Sequence, residues 1–264
     1  YSVRNALESR DTTVANLQGG VSLLSQQLAP ISMQDKAKIT LRHLEKAEGP
    51  AFLNITGGAL TVKKMDDIRV TENAINYLGG QVNIDGGVLS ANNGQVISQQ
   101  GNVIDIGNVD IVGSNTLIVN KLSSVDATMG SIVNLNNGGS KATTTSLKKI
   151  DNVTAGGPLI SIGAANATNN IVTLDSITNI SSQGGLLVGA GSGTTTLNIV
   201  NTRIDDPASV NDVNVSSGRV DINLNASHTS NSYNSRASGI LNLNISQGSS
   251  ATINNNFTLT TINN

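Results

Sequence analysis

The sequence predicts an all-β fold, a single-stranded parallel β-helix (β-solenoid) in which short strands stack as coils, and three observations support this prediction. The first is an internal repeat of about 27 residues, a period that is typical of solenoids. The second is that the apolar strips are short and alternate with Gly, Asn, Ser and Thr, which leaves no segment for crossover helices. The third is composition: apolar residues reach 38% but aromatic residues only 2%, which suits a narrow core of stacked aliphatic side chains.

The repeat is clearest between residues 147 and 204. Three apolar residues of a first unit align with three of a second and, more loosely, with three of a third: Leu147, Ile150 and Val153; Leu174, Ile177 and Ile180; Leu197, Ile199 and Ile204. The shift from the first unit to the second is about 27 residues, and the shift from the second unit to the third is shorter, about 23 residues. Residues 158–163 likewise match residues 185–189, and residues 61–68 echo residues 146–153. With about 21 to 30 residues per coil, we expect roughly nine coils from Pro50 to Asn264.

The first 49 residues show a different periodicity. With Arg10 at the one polar position, their apolar residues recur at alternating steps of four and three, the a/d pattern of a coiled coil: Val3, Leu7, Val14, Leu17, Val21, Leu24 and Leu28. Met33, Ala37, Leu41 and Leu44 continue at helical spacing until Gly49. Two interpretations stay open, a helical cap over the end of the solenoid or an oligomeric coiled coil. We therefore expect two domains, a helical cap or oligomerisation segment at 1–49 and the parallel β-helix at 50–264.

From Pro50 onward, strand-like strips replace the helical period. Examples are Val82–Ile84, Val103–Ile106, Val109–Val112 and Leu117–Val119. Gly-Gly pairs and Asn-rich turns separate the strips, because Gly and Asn tolerate the positive φ of tight corners. Asn amides can also hydrogen-bond along a stack of like residues. An antiparallel sandwich is the rival fold, but it would need frequent two-residue Asn-Gly or Asp-Gly loops, and only Asn93-Gly94 and Asp85-Gly86 fit.

The last coil is predicted to be an uncovered sheet edge. Exposed edges of parallel sheets pair readily with other chains. We therefore expect Phe257, Leu259 and Ile262 to contribute to an interaction, and Leu7, Val14, Leu17, Val21, Leu24 and Leu28 to contribute to the N-terminal one. Self-association is the expected partner interaction, either end to end or as a trimer.

Composition limits the function classes. The net charge of -2 gives no electrostatic basis for binding nucleic acid, which needs clustered Lys and Arg. A run of about 18 apolar residues is lacking, so no membrane span is predicted. Cysteine is absent, which excludes disulfides, thiolate metal sites and a Cys nucleophile. We find no motif for a cofactor, a metal or a catalytic group, and we expect no enzyme.

A polysaccharide-acting enzyme is the alternative that requires paired carboxylates on one face. Asp151 and Asp175 fall at nearly equivalent repeat positions, so they are the best candidates for such a pair. Turn-flanking Asp residues more often cap backbone amides, which favours a structural interpretation.

The Asn/Thr/Gly-rich strips and turns from Pro50 to Asn264 resemble the parallel β-helices of bacterial autotransporter passengers and filamentous-haemagglutinin-like adhesins. This resemblance implies an extracellular stalk, adhesin or filament subunit at the bacterial cell surface, with a host-cell or glycan receptor. The N-terminal heptads depart from that pattern and look more like phage tail fibres or tailspikes, where a helical segment precedes a trimeric shaft. A phage virion is therefore the alternative localisation.

Overall fold

The structure is a computed structural model that describes residues 7–9, 14–87, 94–205, 213–230, 233–235, 238–253 and 257–264. Within these ranges the regular secondary structure is entirely β, and all strand pairing is parallel. The predicted β-solenoid is confirmed. The antiparallel alternative is wrong for the described residues, because successive strands of each sheet come from successive coils.

Two parallel sheets run along the solenoid. Eleven of the described strands, of two or three residues each, form the short-strand sheet: β1 Leu7–Ser9, β3 Ile31–Met33, β5 Leu53–Ile55, β8 Ile75–Tyr77, β11 Ile104–Ile106, β13 Val133–Leu135, β15 Ile160–Ile162, β17 Leu187–Gly189, β19 Val213–Val215, β21 Tyr233–Ser235 and β24 Phe257–Thr258.

The other fourteen described strands form the long-strand sheet: β2 Val14–Leu24, β4 Lys38–Gly49, β6 Ala59–Val62, β7 Met65–Val70, β9 Gln81–Asp85, β10 Gln95–Ser98, β12 Thr116–Ala127, β14 Thr144–Ala155, β16 Asn170–Ser182, β18 Thr194–Asp205, β20 Arg219–Ser230, β22 Ile240–Ile245, β23 Ser250–Ile253 and β25 Thr261–Asn263.

In the short-strand sheet, the register gives each coil between 20 and 29 residues, from Val213↔Tyr233 to Ile75↔Ile104. Nine of the short strands lie between residues 50 and 264, which agrees with the predicted coil number. The step of 27 residues is confirmed, because β14 and β16 pair Leu147 with Leu174. The echo of residues 61–68 in residues 146–153 also corresponds to structurally equivalent positions in the stack.

The core consists of columns of like residues, one residue per coil. Two columns line the inner face of the long-strand sheet. The first, here the Ile39 column, contains Ile39, Leu60, Val82, Leu117, Thr145, Val172, Leu197, Ile222, Leu243 and Ile262; the second contains Leu41, Val62, Ile84, Val119, Leu147, Leu174, Ile199, Leu224 and Ile245. Most of these side chains are fully buried. Burial of aliphatic surface along these columns is the main stabilising term.

The long strands bend in the middle, and one residue in the left-handed region makes the bend. This residue is Lys121 in β12, Lys149 in β14, Ser176 in β16 and Asn201 in β18, with φ between 48° and 58°. Lys121, Lys149 and Ser176 align along the stack, because the pairs on either side of them are in register. Ser176 and Asn201 each follow directly after the pair Asp175↔Val200. Each bend turns the strand around the narrow core.

The helical prediction for the N-terminal segment is wrong where the structure describes it. Residues 14–24, 31–33 and 38–49 are strands β2, β3 and β4. They form further coils of the same solenoid, so the predicted boundary at residue 49 is not a change of fold. The predicted seam residues are divided: Leu17 and Val21 pack against the core, whereas Leu24 and Leu28 are about half exposed. Val3 lies outside the described residues.

Two finer predictions also need correction. The second repeat step is 25 residues and not 23, since Leu174 pairs with Ile199 and Leu197 pairs with Val172. The strip Val109–Val112 is not a strand, because it belongs to the connection between β11 and β12.

That connection changes the shape of one corner of the solenoid. Coils β5–β6 and β8–β9 turn this corner in three residues, 56–58 and 78–80, whereas the connections after β11, β13 and β15 take residues 107–115, 136–143 and 163–169. The three long connections stack on one another, for example through Ser140 N–H to Asp110 Oδ1 at 2.7 Å and Ala167 N–H to Asn137 O at 2.9 Å. A step therefore separates the short corners from the long ones.

Candidate interaction surfaces

The acid pair proposed from the sequence does not assemble. Asp175 lies opposite Lys148 in the β14–β16 register, and Asp151 lies three positions further along β14, next to Asn152, which pairs with Asn179. The two carboxylates are therefore not stacked. Other Asp residues bind backbone amides at turns, as Asp85 does with Gly87 N–H at 2.7 Å.

Charged contacts concentrate on the first coils. His43 Nε2 lies 2.7 Å from Asp66 Oδ2, and Lys64 Nζ lies 3.7 Å from the other oxygen of the same carboxylate. The contact between His43 and Asp66 joins β4 to β7, which are strands of neighbouring coils. Among the described residues, three or more His, Cys, Asp or Glu side chains never group as they would around a metal ion.

The outer face of the long-strand sheet carries a ladder of asparagines toward the C-terminal end. Asn223 Nδ2 donates to Asn198 Oδ1 at 2.9 Å, Asn244 to Asn223 at 2.8 Å, and Asn263 to Asn244 at 2.6 Å. We call these four residues the Asn ladder. Further amide pairs join Asn76 to Asn54 on the other sheet. The expected hydrogen bonding along Asn stacks is confirmed, although these ladders lie on strand faces and not only at turns.

A polar groove of about 550 Å³ follows the Asn ladder. On its floor Arg219 Nε donates to Asp221 Oδ2 at 2.8 Å, and Asn242 Nδ2 donates to Asp221 Oδ1 at 2.6 Å. The hydrogen bond and the negative charge of Asp221 raise the pKa of Arg219 above its ordinary value. The groove is lined mainly by amides and hydroxyls. Its two charged lining residues, Arg219 and Asp221, pair with each other.

The predicted C-terminal interaction residues lie on the last coil. Ile262 ends the Ile39 column and is 52% exposed, because no described residue covers it. Leu259 is partly buried against the core. Phe257 belongs to β24, Leu7 to β1 and Val14 to β2. The structure does not bring the two predicted groups together, since they belong to opposite ends of the stack.

The step between short and long corners forms an open cleft of about 520 Å³, here the step cleft. Its lining residues come from four successive corners: Asp35, Lys36, Lys38, Gly58, Ala59, Gly80, Gln81, Ile111, Val112, Gly113 and Ser114. The 107–115 connection forms one wall. A Cβ added to Gly79 would lie 2.6 Å from Ile111 Cγ1, so only a glycine lets the wall approach this closely.

Hydrogen bonds fix the wall in place. Asn115, which is buried, accepts from Gly80 N–H at 3.1 Å and donates to Ile111 O at 3.3 Å. Directly beneath, the buried phenol of Tyr77 donates to Gly80 O at 2.6 Å. Burial raises the pKa of Tyr77, so this donor stays protonated. This site was not predicted from the sequence; its signal is an extra apolar strip in coils that are about 29 residues long.

Compared with known proteins, the chain matches no family model, no curated protein and no solved structure. The fold itself defines the class: a parallel β-solenoid of stacked coils. Over the part of the chain that the structure describes, no helix is long and apolar enough to cross a membrane.

Proposed function

We propose that this protein is a non-catalytic structural and adhesive β-solenoid that works outside the cell, as a surface stalk or a filament subunit. The observation that carries the proposal is the stacking of like residues along the solenoid. Aliphatic columns continue inside from coil to coil, and hydrogen-bonded amides join the last coils on the outside.

Such stacking suits a rigid spacer. Each coil contacts mainly its neighbours, so the solenoid extends in one dimension. Eleven short strands at about 4.8 Å per strand give a rod on the order of 50 Å. The groove along the Asn ladder presents amides and hydroxyls, which can hydrogen-bond a glycan or a protein surface. The resemblance to adhesin β-helices supports an extracellular location.

The trimeric fibre alternative loses the observation that favoured it. Leu17 and Val21 pack against the solenoid core and so are not free to form a helical seam. The enzyme alternative loses its named acid pair, because Asp151 and Asp175 do not stack.

Attachment of coated particles tests the adhesive function. Microspheres that carry the folded chain should attach to bacterial or epithelial cells more strongly than spheres that carry the same chain after heat denaturation. Equal attachment of both would contradict adhesion. Turnover of any member of a polysaccharide panel, abolished by Asp175→Asn, would contradict the non-catalytic role.

A further inference from the structure

We propose that the step cleft binds a carboxylate-bearing sugar, such as one uronate unit of an acidic polysaccharide. This deepens the adhesive function by naming a receptor chemistry. The cleft volume of about 520 Å³ falls in the usual range for small-ligand sites. It arises where the corners lengthen from three residues to nine, a step that occurs once among the described coils.

The charge of the cleft is suited to an anion. Lys36 and Lys38 are exposed at its rim, and among the described residues neither ammonium group forms an ion pair. Asp35 is the one acidic residue that lines the cleft. By contrast, Lys46 is paired with Glu48 at 2.7 Å and Lys64 with Asp66. Two unpaired cations beside one carboxylate leave a net positive rim, which attracts a carboxylate.

The rest of the lining is suited to a sugar ring. Ile111 and Val112 give one wall an aliphatic surface, and Val112 is 89% exposed. A pyranose presents an apolar C–H face, whose burial against these side chains is favourable. The Gln81 amide and the Ser114 hydroxyl can hydrogen-bond ring hydroxyls. A fatty acid would find too little apolar surface, and a simple anion would not need the aliphatic wall.

The wall is held in position before a ligand arrives. Asn115 fixes the 107–115 connection to Gly80, and the next connection fixes it through Asn137 Oδ1, which accepts from Val109 N–H at 3.0 Å. A preformed site loses less conformational entropy on binding. The cleft is also open to solvent, so the rest of a polymer can remain outside it.

Isothermal titration calorimetry with a galacturonate trisaccharide tests the proposal, against the neutral galactose trisaccharide and acetate. Only the acidic sugar should bind measurably, with an affinity that falls as salt is raised, because both ammonium groups are solvent-exposed. Equal affinity for the neutral sugar, or displacement by acetate at equal concentration, would overturn the proposal.

Matched variants locate the site. The double change Lys36→Gln and Lys38→Gln should weaken binding about fivefold to tenfold, as expected for two exposed charge pairs. Lys148→Gln and Lys149→Gln alters net charge equally on a distant strand and should leave the affinity unchanged. Val112→Ser, at an exposed position that cannot unfold the core, should weaken binding about threefold.

Equal losses in the two lysine double variants would overturn the assignment to this cleft. Absence of binding to the acidic sugar would also overturn it. If coated spheres still attached to cells in that case, the adhesive function would stand and only the cleft would fail.

Discussion

At the scale of the residue, one polar side chain interrupts the Ile39 column. Thr145 is fully buried between Leu117 and Val172, and its hydroxyl has no hydrogen-bond partner among the described residues. A buried hydroxyl without a partner is destabilising by about 1–3 kcal/mol. Two residues earlier, Thr143 is also buried, but its hydroxyl donates to Asn170 Oδ1 at 2.9 Å.

We expect Thr145→Val to stabilise the protein by about 1 kcal/mol, because valine keeps the branched shape and removes the unpaired hydroxyl. Thr143→Val is the matched control and should destabilise by about the same amount, since it leaves Asn170 with one donor fewer. The midpoint of urea unfolding, followed by circular dichroism, measures both. Shifts in the same direction for the two variants would show that hydrogen bonding does not decide these positions.

At the scale of the element, the bent strand explains why the N-terminal segment reads as helical. In β4 the buried residues Leu41, Leu44 and Ala47 are three apart, and in β14 so are Leu147, Ile150 and Val153. In β14 the left-handed Lys149 lies between Leu147 and Ile150, so the strand period of two becomes a local spacing of three there. Leu41 and Leu44 are the equivalent residues of β4 and have the same spacing. Spacings of three and four are also those of a helix face.

Bulges add to the effect in β2. Its register against β4 shifts between Leu17 and Gly20 and again between Val21 and Ser22. The coiled-coil spacing of this segment therefore follows from a strand with irregular register. Only comparison with the same three-residue spacing in β14 could have corrected the helical prediction from sequence.

The contribution of the Asn ladder to stability can be measured with a single variant. Asn223 donates to Asn198 and accepts from Asn244, whereas Asn225 on the same strand is exposed and forms no described side-chain hydrogen bond. Asn223→Ala should lower the free energy of unfolding by about 1–2 kcal/mol, because two hydrogen bonds between side-chain amides are lost. Asn225→Ala should change the stability by less than about 0.5 kcal/mol.

Hydrogen exchange of β18, β20 and β22 gives the local readout for this pair. Faster exchange in these strands is expected for Asn223→Ala alone. Equal stabilities for the two variants would show that the ladder is no stronger than the water contacts it replaces.

At the scale of the whole molecule, the sequence was sufficient for the solenoid, the coil number and the first repeat step. It was not sufficient for the second step, which was placed two residues off. A slip of two residues keeps every apolar side chain on the same face of a strand, so Leu197 fits beside Leu174 as well as beside Val172. The step cleft also escaped prediction, because Ile111 and Val112 look like one more strand.

We predict that the solenoid assembles end to end through its last coil. Ile262 occupies a position that is buried in the preceding coils of the Ile39 column, yet it is 52% exposed. A second copy stacked on β25 would bury it and pair the strand edge that no described strand covers. The mass from light scattering should then rise with concentration, and negative-stain images should show rods that lengthen.

Ile262→Asp should abolish this growth, because stacking would bury an unpaired carboxylate. Ile240→Asp is the control, since Ile240 is also exposed but lies on the outer face of β22 and should leave growth unchanged. A constant monomer mass for the unchanged chain would contradict end-to-end assembly and leave the stalk as the form of the proposed function. Growth that both variants retain would assign the contact to another surface, away from the Ile39 column.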